Sequence, residues 1–197
     1  DDLTAKAQEM GATTKFTATE SAEAFNYMAM AGWKPQQMID GISGIMSLTA
    51  ATGEDLGTTS DIVTDALTAF GLQAGDAGHF ADVLAQASAN ANTNVSMLGE
   101  SFKYVAPVAG AMNYSVEDTS LALGLMANAS IKGSMAGTAL KTSLENMAAP
   151  TDSMAAAMDK YGISLTDSEG NMKSLRGVID NLRGSLGGLS ETEQTAA

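Results

Sequence analysis

Along most of this chain, apolar side chains recur every three or four residues, the spacing that lays one stripe down an α-helix. Residues 57 to 71 show the pattern plainly. Ile62, Val63, Ala66, Leu67 and Phe70 share one side, and Asp61 and Asp65 fall on the polar side. Thr52 followed by Asp55 reads as an N-cap with its N3 carboxylate, and Gly71 stands where a left-handed C-cap belongs. The same reasoning predicts helices near 19–31, 36–50, 76–91, 97–111, 116–129, 134–148 and 152–160. Ser115 with Asp118 predicts a second capping box, and Pro35 suits a first helical position, where its missing N–H costs nothing. Pro107 lies inside a helical pattern, so a kink or a break is expected there.

From Tyr161 the periodicity changes. Gly162-Ile163-Ser164-Leu165-Thr166 alternates with period two, Asp167-Ser168-Glu169-Gly170 has turn chemistry, and Asn171-Met172-Lys173 follows. This predicts a small β-hairpin over 162–173. A last helix from about Ser174 to Leu186 carries Leu175, Val178, Ile179, Leu182 and Leu186, and Gly187-Gly188 ends it. The chain also repeats itself. Glu23-Ala24-Phe25-Asn26-Tyr27 matches Glu100-Ser101-Phe102-Lys103-Tyr104 at an offset of 77, and Gly44-Ile45-Met46 matches Gly124-Leu125-Met126 at an offset of 80. Gly53, Gly57 and Thr58 meet Gly133, Gly137 and Thr138 at that second offset; beyond them the match fades and the apolar stripe shifts by three residues, so the copies read as cousins and not duplicates. The expectation is an all-α, mainly helical protein: a first helical repeat unit over 1–92, a second over 93–160, and the hairpin with a C-terminal helix over 161–197. Repetition of this kind extends a contact surface more often than it builds a catalytic site.

Composition narrows the function. The 197 residues contain no cysteine, which removes disulfides and Cys-based zinc or redox sites. Ten basic against 23 acidic side chains give a net charge of −13, and the basic residues never cluster. Direct phosphate binding needs a dense Lys/Arg footprint, so no direct nucleic-acid contact is expected. The acidity reads instead as solubility and repulsion between copies. No apolar run reaches the roughly 18 to 20 residues of a membrane span, and residues 1–20 lack a basic-then-apolar signal layout. The chain is read as soluble. Asp1-Asp2-Leu3 and Gln194-Thr195-Ala196-Ala197 carry no initiator or terminal motif, so a fragment of a larger parent is the expectation.

Candidate chemistry is sparse. His79 is the only histidine, too few for a nucleophile–His triad or a His-rich metal site. Asp61 and Asp65 sit one turn apart, but acid–base work needs one of them buried with a raised pKa, and the stripe puts both on the solvated side. Placing Gly170 at the sixth position of an EF-hand loop puts Leu165 first and Arg176 twelfth, where a bidentate Glu is required. Gly41-Ile42-Ser43-Gly44 lacks the strand before it and the Lys after it that a P-loop demands. No catalytic residue, metal site or cofactor is expected. The thirteen methionines read as core filling on Ala-rich helices, and Trp33 as a packing anchor before Pro35.

The run from Ala22 to Pro150 resembles the conserved core of phage tail tape measure proteins. The residues that carry the likeness are Tyr27 to Trp33, Ser60 to Gly71, Phe80 to Ala85, Ser88 to Val95, Phe102 to Gly110 and Gly124 to Ala129, with Tyr161 to Lys173 resembling the segment that follows. Asn146-Met147 and Ser134-Met135 depart from the pattern without touching a catalytic role. The resemblance implies a non-enzymatic ruler or scaffold for tail tube assembly, located in the tail lumen of the virion (host cytoplasm during assembly) and released during DNA ejection. It implies partners in tail tube and tail tip proteins and in further copies of the chain, a homo-oligomer, by the family pattern a trimer. The packing or interface candidates are Phe25, Tyr27, Trp33, Phe70, Phe80, Phe102, Tyr104, Pro107 and Met126. Two alternatives stay open: a secreted or injected helical protein that binds a host envelope component through Met-rich grooves, and a fragment of a cell-wall hydrolase.

Overall fold

The computed structural model describes residues 2–196. Its helices are α1 Asp2–Thr13, α2 Ala18–Met30, α3 Pro35–Thr52, α4 Leu56–Phe70, α5 Ala77–Asn90, α6 Val95–Ala111, α7 Val116–Asn128, α8 Gly133–Ala148, α9 Asp152–Tyr161, α10 Leu175–Leu186 and α11 Glu191–Ala196. The all-α expectation holds. The sequence reading did not predict α1, although Leu3, Ala7 and Met10 have helical spacing and Ala7 and Met10 are buried.

Side-chain oxygens set most helix starts by taking an N–H that a helix leaves unpaired. Thr17 and Glu20 form a full capping box at α2, with Thr17 N donating to Glu20 Oε2 at 2.7 Å and Glu20 N to Thr17 Oγ1 at 3.2 Å. At α4 the cap is Asp55, which accepts from Thr58 N at 2.9 Å. The cap expected at Thr52 is therefore three residues early: Thr52 closes α3, donating to the Leu48 carbonyl, and Gly53 takes the left-handed turn at φ 72°. Ser115 caps α7 as expected, but Asp118 does not complete the box. Its Oδ2 accepts from Leu175 N at 3.1 Å and so ties the start of α10 to α7. Gly71 does form the left-handed C-cap at φ 69°, and Pro35 sits in the first turn of α3.

The helices pack in two layers. In one, α4, α6 and α8 lie side by side, starting at residues 56, 95 and 133, with α2 bordering α4 and α1 bordering α2. In the other, α3, α5 and α7 are neighbours and α10 borders α7. Between the layers Ile42, Ile45, Leu67, Phe80, Leu84, Leu98, Leu123 and Leu144 are fully buried. Each contributes about 1.5–3 kcal/mol of burial free energy. Two glycines let backbones approach more closely than any side chain would allow. A methyl at Gly44 would lie 2.5 Å from the Ala77 carbonyl carbon, and one at Gly137 would lie 2.2 Å from the Ser101 oxygen.

Three expectations need correction. The two tandem units of about 80 residues do not emerge as like units, because counterpart positions pack differently. Gly57 abuts the ring of Tyr27, whereas its sequence counterpart Gly137 abuts Ser101, the counterpart of Ala24. Packing also continues across residues 92–94, where α4 lies on α6 and α5 on α7. The hairpin over 162–173 is a turn with one antiparallel bridge, Thr166 to Met172, and no strand forms among the described residues. An isolated two-stranded ribbon with no sheet to join is marginal. Asp167 Oδ1 instead organises the turn by accepting from Glu169 N and Asn171 N, each at 2.9 Å. Finally, of the kink or break expected at Pro107 the break does not occur: α6 continues from Val95 to Ala111 with Pro107 inside it. A proline there costs about 3 kcal/mol, which the burial of Phe102, Val105, Ala106 and Ala109 in the same helix offsets.

Candidate functional site

The largest aromatic cluster forms where α4, α5 and α6 meet. Phe102 of α6 stands edge-on to Phe70 at the end of α4 and tilted against Phe80 of α5, with ring centroids 5.8 Å apart in both pairs. Such pairs add about 0.5–1.5 kcal/mol beyond area burial. Phe80 and Phe102 are buried and Phe70 is partly so. Phe25 is buried in the same core from α2, and Met126 of α7 is partly buried against it. The backbone N–H of Trp33 donates to the Met28 carbonyl at 3.0 Å, and its ring lies over Gly41 of α3. The remaining candidates face outward: Tyr27 and Tyr104, counterparts in the sequence repeat, are 36% and 45% exposed, and Pro107 is exposed. The nine residues thus divide into a core group and a surface group.

Methionine divides in the same way. Met10, Met28, Met38 and Met46 fill the core, as expected, but Met30, Met97, Met135 and Met172 are exposed.

The titratable side chains do not converge. Asp61 and Asp65 lie on the outer side of α4, where Asp65 lines an open groove of about 360 Å³ with Lys103 and Pro107 of α6. Partial burial, with the neighbouring Asp61 charge, pushes the Asp65 carboxyl up, and Lys103 opposes the shift. Lys103 is itself held by Glu100 at 2.7 Å. His79 belongs to the other layer, where its Nε2 meets Glu117 of α7. A hydrogen bond from its own backbone N–H, followed by His79, holds the Glu117 carboxyl below the usual range. Among the described residues, no group of three or more His, Cys, Asp or Glu side chains could hold a metal ion, and no helix is long and apolar enough to cross a membrane.

Sequence reasoning missed a second groove, of about 450 Å³, between α5 and α7. Its wall includes Val83 and Ala87 of α5 and Leu121 and Leu125 of α7, the last two 42% and 44% exposed. A signal was present. Leu121, Leu123, Leu125 and Met126 cannot share one face of a helix, so α7 had to show apolar surface on its outer side.

Comparison with known proteins places the chain. A family model described as phage-related minor tail protein matches residues 4–197. The chain is 41% identical over 189 residues to the tape measure protein of Pneumococcus phage Dp-1, an alignment that covers 96% of this chain and 16% of that protein. It is 25% identical over 184 residues to the probable tape measure protein of Escherichia phage P2, covering 93% of this chain and 23% of that one. The chain therefore spans less than a quarter of the length of either relative. No solved structure matches it. With all but its first three residues matched by the family model, this chain belongs to the phage-related minor tail protein family.

Proposed function

We propose that the chain is a non-enzymatic, structural segment of a tail tape measure protein, part of a ruler and scaffold for tail tube assembly that leaves the tail during DNA ejection. The observation that carries this reading is the similarity to the Dp-1 tape measure protein over nearly the whole chain. The fold is consistent with it: small residues let helices stack closely, and the acidic and basic side chains are dispersed. In the assembled tail the segment would lie in the lumen beside further copies of itself, a trimer by the family pattern, with tail tube and tip proteins as neighbours. Tyr27, Tyr104 and Pro107 are the surface residues proposed to meet those neighbours. The sequence offset of 77 to 80 residues is read as two steps of the stack, since α4, α6 and α8 start at 56, 95 and 133.

Tail length tests the ruler. Duplicating residues 56–94 in the parent gene adds one helix from each layer. If the segment opens into continuous helix inside the tube, the insert adds about 58 Å at about 1.5 Å per residue. If it counts as a folded stack, the addition is one interhelical step, about 10 Å. Electron microscopy of purified tails reads the difference, and an unchanged mean length would refute the ruler role for this segment.

A further inference from the structure

We propose that the outer groove between α5 and α7 is a docking site for a short, cationic, amphipathic helix from another polypeptide. This goes beyond the ruler reading and does not depend on it.

The two helices run parallel, joined at one end by His79 and Glu117 and at the other by Asn92 N donating to Asn128 Oδ1 at 2.8 Å. Between these ties the helices touch, with Gly124 of α7 against Ala91, and the crease along their outer side stays open. Val83 and Ala87 make one i, i+4 stripe and Leu121 and Leu125 another, together lining the cleft. Parallel stripes of this spacing receive the ridge of a third helix, the helix-in-groove mode of recognition. From His79 to Asn90 the cleft runs about 16 Å at about 1.5 Å per residue, room for three helical turns. Ser120, in the same wall, has a buried hydroxyl with no hydrogen-bond partner. Scattered exposed leucines need no explanation, but two on one helical face beside an apolar stripe of a second helix do.

Charge selects the occupant. Among the described residues, the groove lining carries the carboxylates of Asp82 and Glu117, the latter already met by His79 in the same lining, and no Lys or Arg. Glu117 is held in its charged form by its hydrogen bonds. A second copy of this chain, at −13, would meet the acidic rim with like charge. A helix with leucine or methionine on one face and lysine or arginine in the turn that reaches Asp82 and Glu117 matches both the floor and the rim.

The test uses the whole chain and a labelled fourteen-residue peptide of Leu, Ala and Lys, with leucines at helical i, i+4, i+7 and i+11 spacing and two lysines in one end turn. Fluorescence anisotropy should show binding that weakens with salt, at least fivefold loss with Asp82→Asn plus Glu117→Gln, and at least tenfold loss with Leu121→Ser plus Leu125→Ser. A peptide with Glu in place of Lys, and a scrambled peptide with the lysines but no leucine stripe, should not bind. Because the chain has no cysteine, Gln86→Cys gives a unique label site on the groove rim with both leucines intact, and Met30→Cys gives one on α2 in the other layer. An environment-sensitive dye should shift on peptide addition at position 86 and not at 30. Equal binding of the Lys and Glu peptides, binding untouched by the leucine substitutions in a variant of unchanged helicity, or a dye response at position 30 alone would each overturn the proposal. Self-association that the leucine substitutions abolish would overturn it too, by making a second copy the occupant.

Discussion

Replacing Gly137 by alanine sets two effects of opposite sign against each other. Gly137 is interior to α8, where alanine gains about 0.8–1 kcal/mol of helix propensity. The new methyl, however, would sit 2.2 Å from the Ser101 carbonyl oxygen and 2.8 Å from its Cα, both backbone atoms of α6. Comfortable contact needs about 3.5 Å, so α6 and α8 must part by about 1 Å. Overpacking of this kind costs about 1–3 kcal/mol. Separation also strains the Ser101 Oγ bond to the Gly133 carbonyl, 2.8 Å long, which joins the same two helices; losing it costs a further ~1 kcal/mol. The net expectation is destabilisation by about 2 kcal/mol, a fall in Tm of about 4–8 °C for a chain of this length. The control is Gly78→Ala in the first turn of α5, where nothing lies within 4 Å of the added methyl. That change should leave Tm level or raise it slightly. Thermal melts followed by circular dichroism compare the two. If Gly137→Ala melts at or above the unaltered chain, the close approach of α6 and α8 is not what the glycine serves.

Truncating Phe102 to alanine removes both aromatic contacts of the cluster and should lower unfolding free energy by about 3–5 kcal/mol, with a smaller loss for Phe70→Ala; urea titration measures both. Asp118→Ala should free the Leu175 amide and speed its hydrogen exchange, whereas Asp118→Asn, which keeps an acceptor, should restore most of the protection. Cap hydrogen bonds lower the Asp55 carboxyl from its ordinary 3.8, first through Thr58 N. Its contribution is present above that value and is lost as pH falls through the lower folded-state value, so Asp55→Asn should flatten the acid limb of the urea midpoint. Asp65 has the opposite sign: burial raises its carboxyl, the charged form opposes folding above that raised value, and Asp65→Asn should raise the urea midpoint at pH 7.

The local elements were legible because each rests on interactions within about four residues. The α4 stripe, Gly71, Pro35 and Ser115 all act as their positions predict. The failures share a cause in contacts from distant parts of the chain. Asp118 looked like the reciprocal half of a capping box, yet its oxygen serves Leu175, 57 residues away. Pro107 looked like a kink or a break, and buried neighbours carry α6 through it without the break. The aromatic candidates could be picked out but not sorted: Phe102 and Tyr104 are two residues apart on one helix, and only the packing of α4 and α5 decides that one is core and the other surface.

The α5/α7 groove is the clearest case. The excess of apolar residues around α7 could be read from the chain, but which stripe stays uncovered depends on how far α5 stands from it. By itself, then, the amino-acid sequence determined an all-helical, acidic chain with one histidine and no cysteine, and with it the family resemblance. Tertiary structure alone decided which counterpart residues pack alike and where the outward apolar surface lies. Helical period and capping are short-range properties of the backbone, whereas groove width and burial are set by the summed packing of helices far apart in the chain.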